Sequence, residues 1–305
     1  MVSTEPLTVG VVGAGRMGAA AVRRLVEEGF SVTVANRTRP TSQTLAREVG
    51  CGHADTFAEL AAASDVVLVL TAGEEGTRQA VVEADGLLAG ARAGTTVLVM
   101  STVTPSVIHE LAHAAAIVEV SLVDVPISGR PAELSKGAVS LFAGGPPEVL
   151  ERVSAVLLAL GNVIPVGPTG AAAAMKLGVN AVVFGLVAAV AECLALTGAA
   201  GVAPGMAYDV LQQSAVGSKF IDLRRPYFVN DDPPAVQFSM DATRETLELI
   251  VKAAASLSVV LPQTETNLAT ARTASESGLS DQDLTQLARF LLSRRSDLPR
   301  GGDAS

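Results

Sequence analysis

The sequence predicts an α/β, doubly wound domain followed by an all-α domain, with a long helix joining the two. Three observations carry that reading. The chain opens on a strand, Gly-rich turn, helix and second strand over Leu7–Arg39. A later strand-length run, Val66-Val67-Leu68-Val69-Leu70, is apolar throughout. From Thr169 strand patterns cease, and a nearly uncharged helical stretch, 171–200, begins. A strand apolar on both faces belongs to a parallel sheet covered by helices on each side.

In order, Leu7–Val12 is a β-branched strand and the helix after the turn runs to about Glu28, where Gly29 stops it. Ser31–Ala35 is the second strand, followed by helices over Thr41–Val49 and Asp55–Ala63. Strands follow at Val66–Leu70, Thr96–Met100, Ser121–Val125, Val139–Ala143 and Val163–Val166, with one helix, Pro147–Leu160, between the last two. The first domain closes near Gly167-Pro168, so its expected span is 1–167. A second domain over 168–297 contains the long helix and amphipathic helices at Ala203–Ser214, Arg244–Ala255, Thr264–Glu276 and Ser280–Leu292. Asp231-Asp232-Pro233-Pro234 reads as a loop, and 298–305 as a flexible tail.

The opening unit carries Gly13-Ala14-Gly15-Arg16-Met17-Gly18, a G-x-G-x-x-G turn set between strand and helix. Its first glycine suits the tight turn, the second lets backbone approach a pyrophosphate, and the third lets helix and strand pack closely. The helix N-terminus adds free N–H groups and partial positive charge. An NAD site places a carboxylate at the end of the second strand; here stand Asn36-Arg37-Thr38-Arg39. Guanidinium meets a 2′-phosphate where a carboxylate would repel it, so NADP(H) is the expected cofactor. Ligands of such sheets bind outside the carboxyl ends of strands. Leu70, Thr71, Ser101 and Thr102 therefore join Gly13–Gly18 and Asn36–Thr38 as candidate contacts.

Composition narrows the partners. Of 305 residues 49% are hydrophobic and 17% charged, enough for a core, which must be built from Ala, Val and Leu because Trp is absent. A net charge of −9 argues against nucleic acid, whose affinity rests largely on Lys and Arg. Cys51 and Cys193 form no metal or disulfide pattern, and MVSTEPLTVG lacks a basic region and cleavage site, so the expected compartment is the cytoplasm. His109-Glu110-Leu111-Ala112-His113 matches the H-E-x-x-H zinc pattern. It follows a sheet strand of a nucleotide-binding unit and has no third-ligand motif, so no metal is expected. The 171–200 stretch approaches membrane-spanning length. Its Gly punctuation, its acidic Glu192 and the nucleotide domain before it favour a buried helix over a membrane span.

Lys176 is a cation inside that apolar helix. Burial without a carboxylate partner lowers a lysine pKa toward neutrality and makes a usable general acid/base; the alternative is a lysine snorkelling at the wet end. Asn180 lies four residues on, where both side chains project from one face. Upstream, Ser128-Gly129 forms a turn that presents a hydroxyl and a backbone N–H together, a cradle for a carboxylate.

Several linked segments occur in order: GAGRMG, NRT, ADGLLAG, MSTVTP, DVPISG, FAGG and GAAAAMKLGVN. Over roughly Leu7–Leu292 the chain resembles the β-hydroxyacid dehydrogenase family, which includes 3-hydroxyisobutyrate dehydrogenases and NADPH-dependent semialdehyde reductases. The resemblance implies a Rossmann-type domain, a long inter-domain helix and an all-helical domain that supports homodimers or homotetramers. It implies Lys176 as catalytic acid, Asn180 as its assistant, Ser128 and Gly129 on the substrate acid group, and Thr102 against the nicotinamide. A small carbonyl compound, a semialdehyde or short oxo acid, is then the expected substrate. Two departures stand out. Arg130-Pro131 replaces the usual second glycine, and Glu245-Thr246 replaces a Lys-Asp pair, with Arg244 just before. Arg130 or Arg244 is the expected replacement for the missing cation. Imine reductases, a neighbouring branch, share the NRT-type site and lack Lys-Asp, but generally lack the lysine and the Ser-Gly turn. That branch, a bulky-ketone reductase, and a non-catalytic NADP-binding module are the alternative readings.

Overall fold

The computed structural model describes residues 7–230 and 232–293. Asp231 of the expected loop and the expected tail lie outside the described residues. The chain divides into two compact units, Met1–Leu177 and Gly178–Ser305.

In the first unit β1 (Thr8–Val12), α1 (Arg16–Glu27) and β2 (Ser31–Ala35) form the opening unit, followed by α2 (Arg39–Val49), β3 (Gly52–His53), α3 (Phe57–Ala62) and β4 (Val66–Val69). Next come α4 (Gly73–Val82), α5 (Leu87–Gly90), β5 (Thr96–Val99), α6 (Pro105–Ile117) and β6 (Ser121–Asp124). The unit continues through β7 (Ile127–Ser128), α7 (Pro131–Leu134), β8 (Val139–Gly144), α8 (Pro147–Arg152), α9 (Ser154–Leu160) and β9 (Gly161–Gly167). The strands form one sheet in the order β3-β2-β1-β4-β5-β6-β8-β7, with β9 paired to β8. Pairing is parallel from β3 to β6, and β8 runs antiparallel to β6 and β7. Strand order reverses at β1, which pairs with both β2 and β4, and this is where such sheets open a ligand crevice.

The apolar run of β4 is explained by its two faces. Leu68 enters the layer containing Val11, Leu25 and Leu98, whereas Val67 and Val69 enter the opposite layer with Val97, Ile108 and Leu111. Alternate side chains of a strand point to opposite faces, so both must be apolar when helices cover both.

In the second unit α10 (Ala171–Ala199), which begins in the first, is followed by α11 (Pro204–Gln213), α12 (Lys219–Val229), α13 (Met240–Ser256), α14 (Pro262–Ala274) and α15 (Leu287–Ser293). Two aromatic pairs anchor it. Phe184 packs on Phe238 with ring centroids 5.6 Å apart, and Tyr208 packs on Phe228 while its hydroxyl donates to the Ile221 carbonyl at 2.8 Å. The buried Asp283 carboxylate accepts from the Gln237 and Phe238 backbone N–H groups and the Thr285 hydroxyl. By length and composition α10 could cross a membrane: its most apolar stretch has a mean hydropathy of 2.2, and 28% of it is buried within the chain.

Several element boundaries differ from expectation, each for a local reason. The second helix begins at Arg39, because Pro40 suits a first helical turn. The third begins at Phe57, where Thr56 and Glu59 form a capping box. Pro147–Leu160 is two helices, since Val153 leaves helical geometry at φ −102° and ψ 9°. The Ser280–Leu292 helix is instead a short 3₁₀ turn, Leu284–Gln286, leading into α15, after the Asp283 side chain caps the Thr285 N–H. Helix α12, with Pro226 inside it, lies where no helix is expected.

Candidate active site

The glycine turn is built for a dinucleotide. Gly13 has φ +104°, and a Cβ there would lie 2.2 Å from the Leu70 carbonyl oxygen. A Cβ on Gly18 would sit 1.8 Å from the Gly13 oxygen, so the helix can approach the turn only through glycine. Around Gly15 the space is open. Gly15 caps α1 without a side-chain hydrogen bond, and no acidic residue occupies the first turn. Free N–H groups, an unscreened helix dipole and room for an anion thus coincide, and a pyrophosphate fits there. Arg16 is exposed and Met17 half-buried at the start of the same helix.

Asn36 ends β2. Its Oδ1 accepts from the Ala14 N–H at 3.2 Å and its Nδ2 donates to the Thr38 carbonyl at 3.1 Å. The amide therefore braces the glycine turn against the loop, leaving Arg37 and Thr38 exposed beside it. Leu70 and Thr71 follow β4, and Ser101 and Thr102 follow β5. The Thr71 N–H donates to Ser101 Oγ at 2.9 Å, and the Ser101 hydroxyl donates to the Val69 carbonyl at 3.2 Å. Thr104, just beyond, is held through its N–H and hydroxyl by the Glu74 carboxylate. All these candidate contacts gather at the carboxyl ends of β1, β2, β4 and β5.

At the carboxyl end of β6 lies Asp124, fully buried. Its Oδ1 accepts from the Gly170 N–H and its Oδ2 from the Ala173 N–H, both at 2.7 Å. Burial pushes this carboxyl above the usual range, opposed by backbone N–H groups that favour the anion. The contact starts α10 at the sheet edge that carries the candidate dinucleotide residues. Lys176 lies in the second turn of α10, half-buried, and desolvation lowers its pKa from 10.5 to about 8. Asn180 follows one turn later on the same helix. Ser128 sits in β7, paired with Ser140 of β8, and Gly129 follows it, exposed.

Both arginines expected to replace the missing cation are engaged by carboxylates. The Arg130 guanidinium donates to Glu133 Oε1 at 2.8 Å, and its backbone N–H to Glu133 Oε2 at 2.8 Å. Arg244, on α13 in the second unit, donates to Asp241 at 2.9 Å and to Glu248 at 3.1 Å. Nearby Glu245 is exposed. His109 of the H-E-x-x-H pattern places Nε2 3.0 Å from the Thr169 carbonyl, a contact with the turn that leads into α10. Asp124, within DVPISG, is a functional candidate beyond those the sequence assigns; its signal there is an acidic residue in an otherwise apolar strand end.

Comparison with known proteins agrees with this geometry. The model of the NAD binding domain of 6-phosphogluconate dehydrogenase matches residues 8–170. The model described as NAD-binding of NADP-dependent 3-hydroxyisobutyrate dehydrogenase matches residues 170–291. L-threonate dehydrogenase of Escherichia coli K12 is 30% identical over 278 residues, 90% of this chain and 91% of that one. The crystal structure of 3-hydroxyisobutyrate dehydrogenase from Salmonella typhimurium has a TM-score of 0.82 at 28% identity, covering 93% of this chain and 99% of that one. An imine reductase from Myxococcus stipitatus in complex with NADP+ shares the fold, with a TM-score of 0.64 at 22% identity over 93% and 99% of the two chains. Two consecutive family models that together span residues 8–291, and a glycine turn shaped for a dinucleotide, establish that this chain belongs to the β-hydroxyacid dehydrogenase family and carries its NAD(P)-binding domain.

Proposed function

We propose that the protein is an NADPH-dependent reductase, and in reverse an alcohol dehydrogenase, acting on a small carbonyl compound such as a semialdehyde or short oxo acid. The observation that carries this reading is Lys176, a desolvated lysine with a pKa of about 8 on the second turn of α10. At neutral pH such a group is protonated yet gives up its proton far more readily than an ordinary lysine. When bound, NADPH supplies the hydride. Lys176 gives its proton to the forming alkoxide oxygen, and its charge stabilises that oxygen as it becomes anionic. Ser128, the Gly129 N–H and Asn180 orient the substrate, which turns a bimolecular encounter into an aligned one.

The preference for NADPH over NADH is inferred from Arg37 and Thr38 at the end of β2, where no carboxylate stands to repel a 2′-phosphate. Because glutamate and aspartate already engage Arg130 and Arg244, either must be shared or released before it can anchor a substrate acid group. That engagement supports a second reading, in which the substrate is a ketone or imine without a carboxylate. We also propose that the protein works in the cytoplasm as a homodimer or homotetramer. Leu196 and Val182 of α10 are 74% and 63% exposed in the chain, apolar area that a second copy would cover.

Replacing Lys176 with Ala is expected to lower kcat for carbonyl reduction by about two to four powers of ten while NADPH still binds; near-native turnover removes the lysine from the mechanism. Arg37→Ala should reduce kcat/KM for NADPH at least about tenfold and leave NADH little changed, as the loss of one charge-assisted phosphate contact implies. Of Arg130→Ala and Arg244→Ala, the substitution at the substrate anchor will raise KM for an acid-bearing carbonyl, and unchanged KM in both favours the uncharged substrate. Light scattering is expected to give a mass two or four times the 31.0 kDa of one chain, shifted toward one chain by Leu196→Glu.

A further inference from the structure

We propose that Asp124 is a positioning residue for Lys176: its buried carboxylate clamps the first turn of α10 and so sets where the lysine ammonium is presented. This rests on the role given to Lys176 above. The clamp joins parts far apart in the chain, since Asp124 ends β6 while its partners, the Gly170 and Ala173 N–H groups, open a helix more than forty residues later. Two oxygens of one rigid group, each 2.7 Å from an N–H three residues from the other, fix the helix both along its axis and in rotation about it. A single capping bond would leave the rotation free.

The surroundings are shaped to this contact. A Cβ on Gly144 of β8 would come within 2.6 Å of Asp124 Oδ1 and 3.0 Å of the Ala172 nitrogen, so the glycine makes room for the carboxylate and the helix start together. Gly170 has φ +93°, and a Cβ there would lie 2.5 Å from His109 Nε2, the atom that also meets the Thr169 carbonyl. Strand β6 thus bonds the start of α10, β8 passes beside it at Gly144, and helix α6 contacts the turn before it. Lys176 is three residues beyond Ala173, less than one turn from the clamp.

Small rotations matter at that distance. With side-chain ends about 6 Å from the helix axis, a rotation of about 10° moves the ammonium by about 1 Å. Misplacement by about 1 Å can cost roughly a hundredfold in rate. Aspartate suits the task because both its oxygens accept. Asparagine would present an NH₂ to one of the two N–H groups, and that bond would be lost.

The test is a cycle of Asp124→Asn and Lys176→Ala, singly and together, read as kcat for carbonyl reduction by single turnover and as NADPH affinity by fluorescence. Asp124→Asn should lower kcat at least about tenfold with NADPH affinity unchanged, and should have less than about a twofold effect once Lys176 is Ala. A residue that only supports the fold gives the same fold-loss in both backgrounds. That result, or native kcat in Asp124→Asn, overturns the proposal. Gly144→Ala, which crowds the carboxylate without removing it, is put through the same cycle and decides the matter if Asp124→Asn is not recovered folded. Native turnover in Lys176→Ala overturns the proposed function and this role with it. Collapsed turnover there with additive losses overturns the role of Asp124 alone.

Discussion

The hydrogen bonds from Gly170 and Ala173 to Asp124 are the point at which the sheet takes hold of the longest helix. A carboxylate without exposure is costly unless its charge is met, and here the N–H groups at a helix start meet it. The arrangement satisfies two needs at once, because those N–H groups would otherwise lack partners at a buried helix end. It also explains residue types elsewhere. A side chain at Gly144 would crowd the Asp124 carboxylate, and His109 braces the turn before the helix.

Much of the first unit was legible because residue type dictates backbone geometry there. Only glycine fits at Gly13 and Gly18, so the G-x-G-x-x-G turn announces itself. The fully apolar, strand-length run at β4 reads as a strand covered on both faces, as it is. What escaped was of two kinds. The break at Val153 and the helix α12 are local choices among near-equal conformations, with no glycine to mark the first and a proline arguing against the second. The role of Asp124 depends on sheet topology, which brings residues 124, 144 and 170 together, and no local pattern reports that.

The engaged arginines are a different case, since the signal was present and unused. Glu133 stands three residues after Arg130, while Asp241 and Glu248 stand three before and four after Arg244. Those are the spacings at which side chains meet on a helix. The same argument isolates Lys176: no carboxylate stands three or four residues from it in either direction, and desolvation is left to set its pKa. In a chain of net charge −9, it is desolvation that lowers the pKa of that lysine.

The central claim is that Lys176 exchanges the proton that accompanies hydride transfer. Its most direct test is the pH dependence of kcat in both directions. In the proposed reaction, reduction requires the ammonium and oxidation the neutral amine. The reduction rate is therefore expected to fall as pH rises through about 8, and the oxidation rate to rise through the same value. Rates flat across that range in both directions, or an inflection that persists in Lys176→Met, would contradict it.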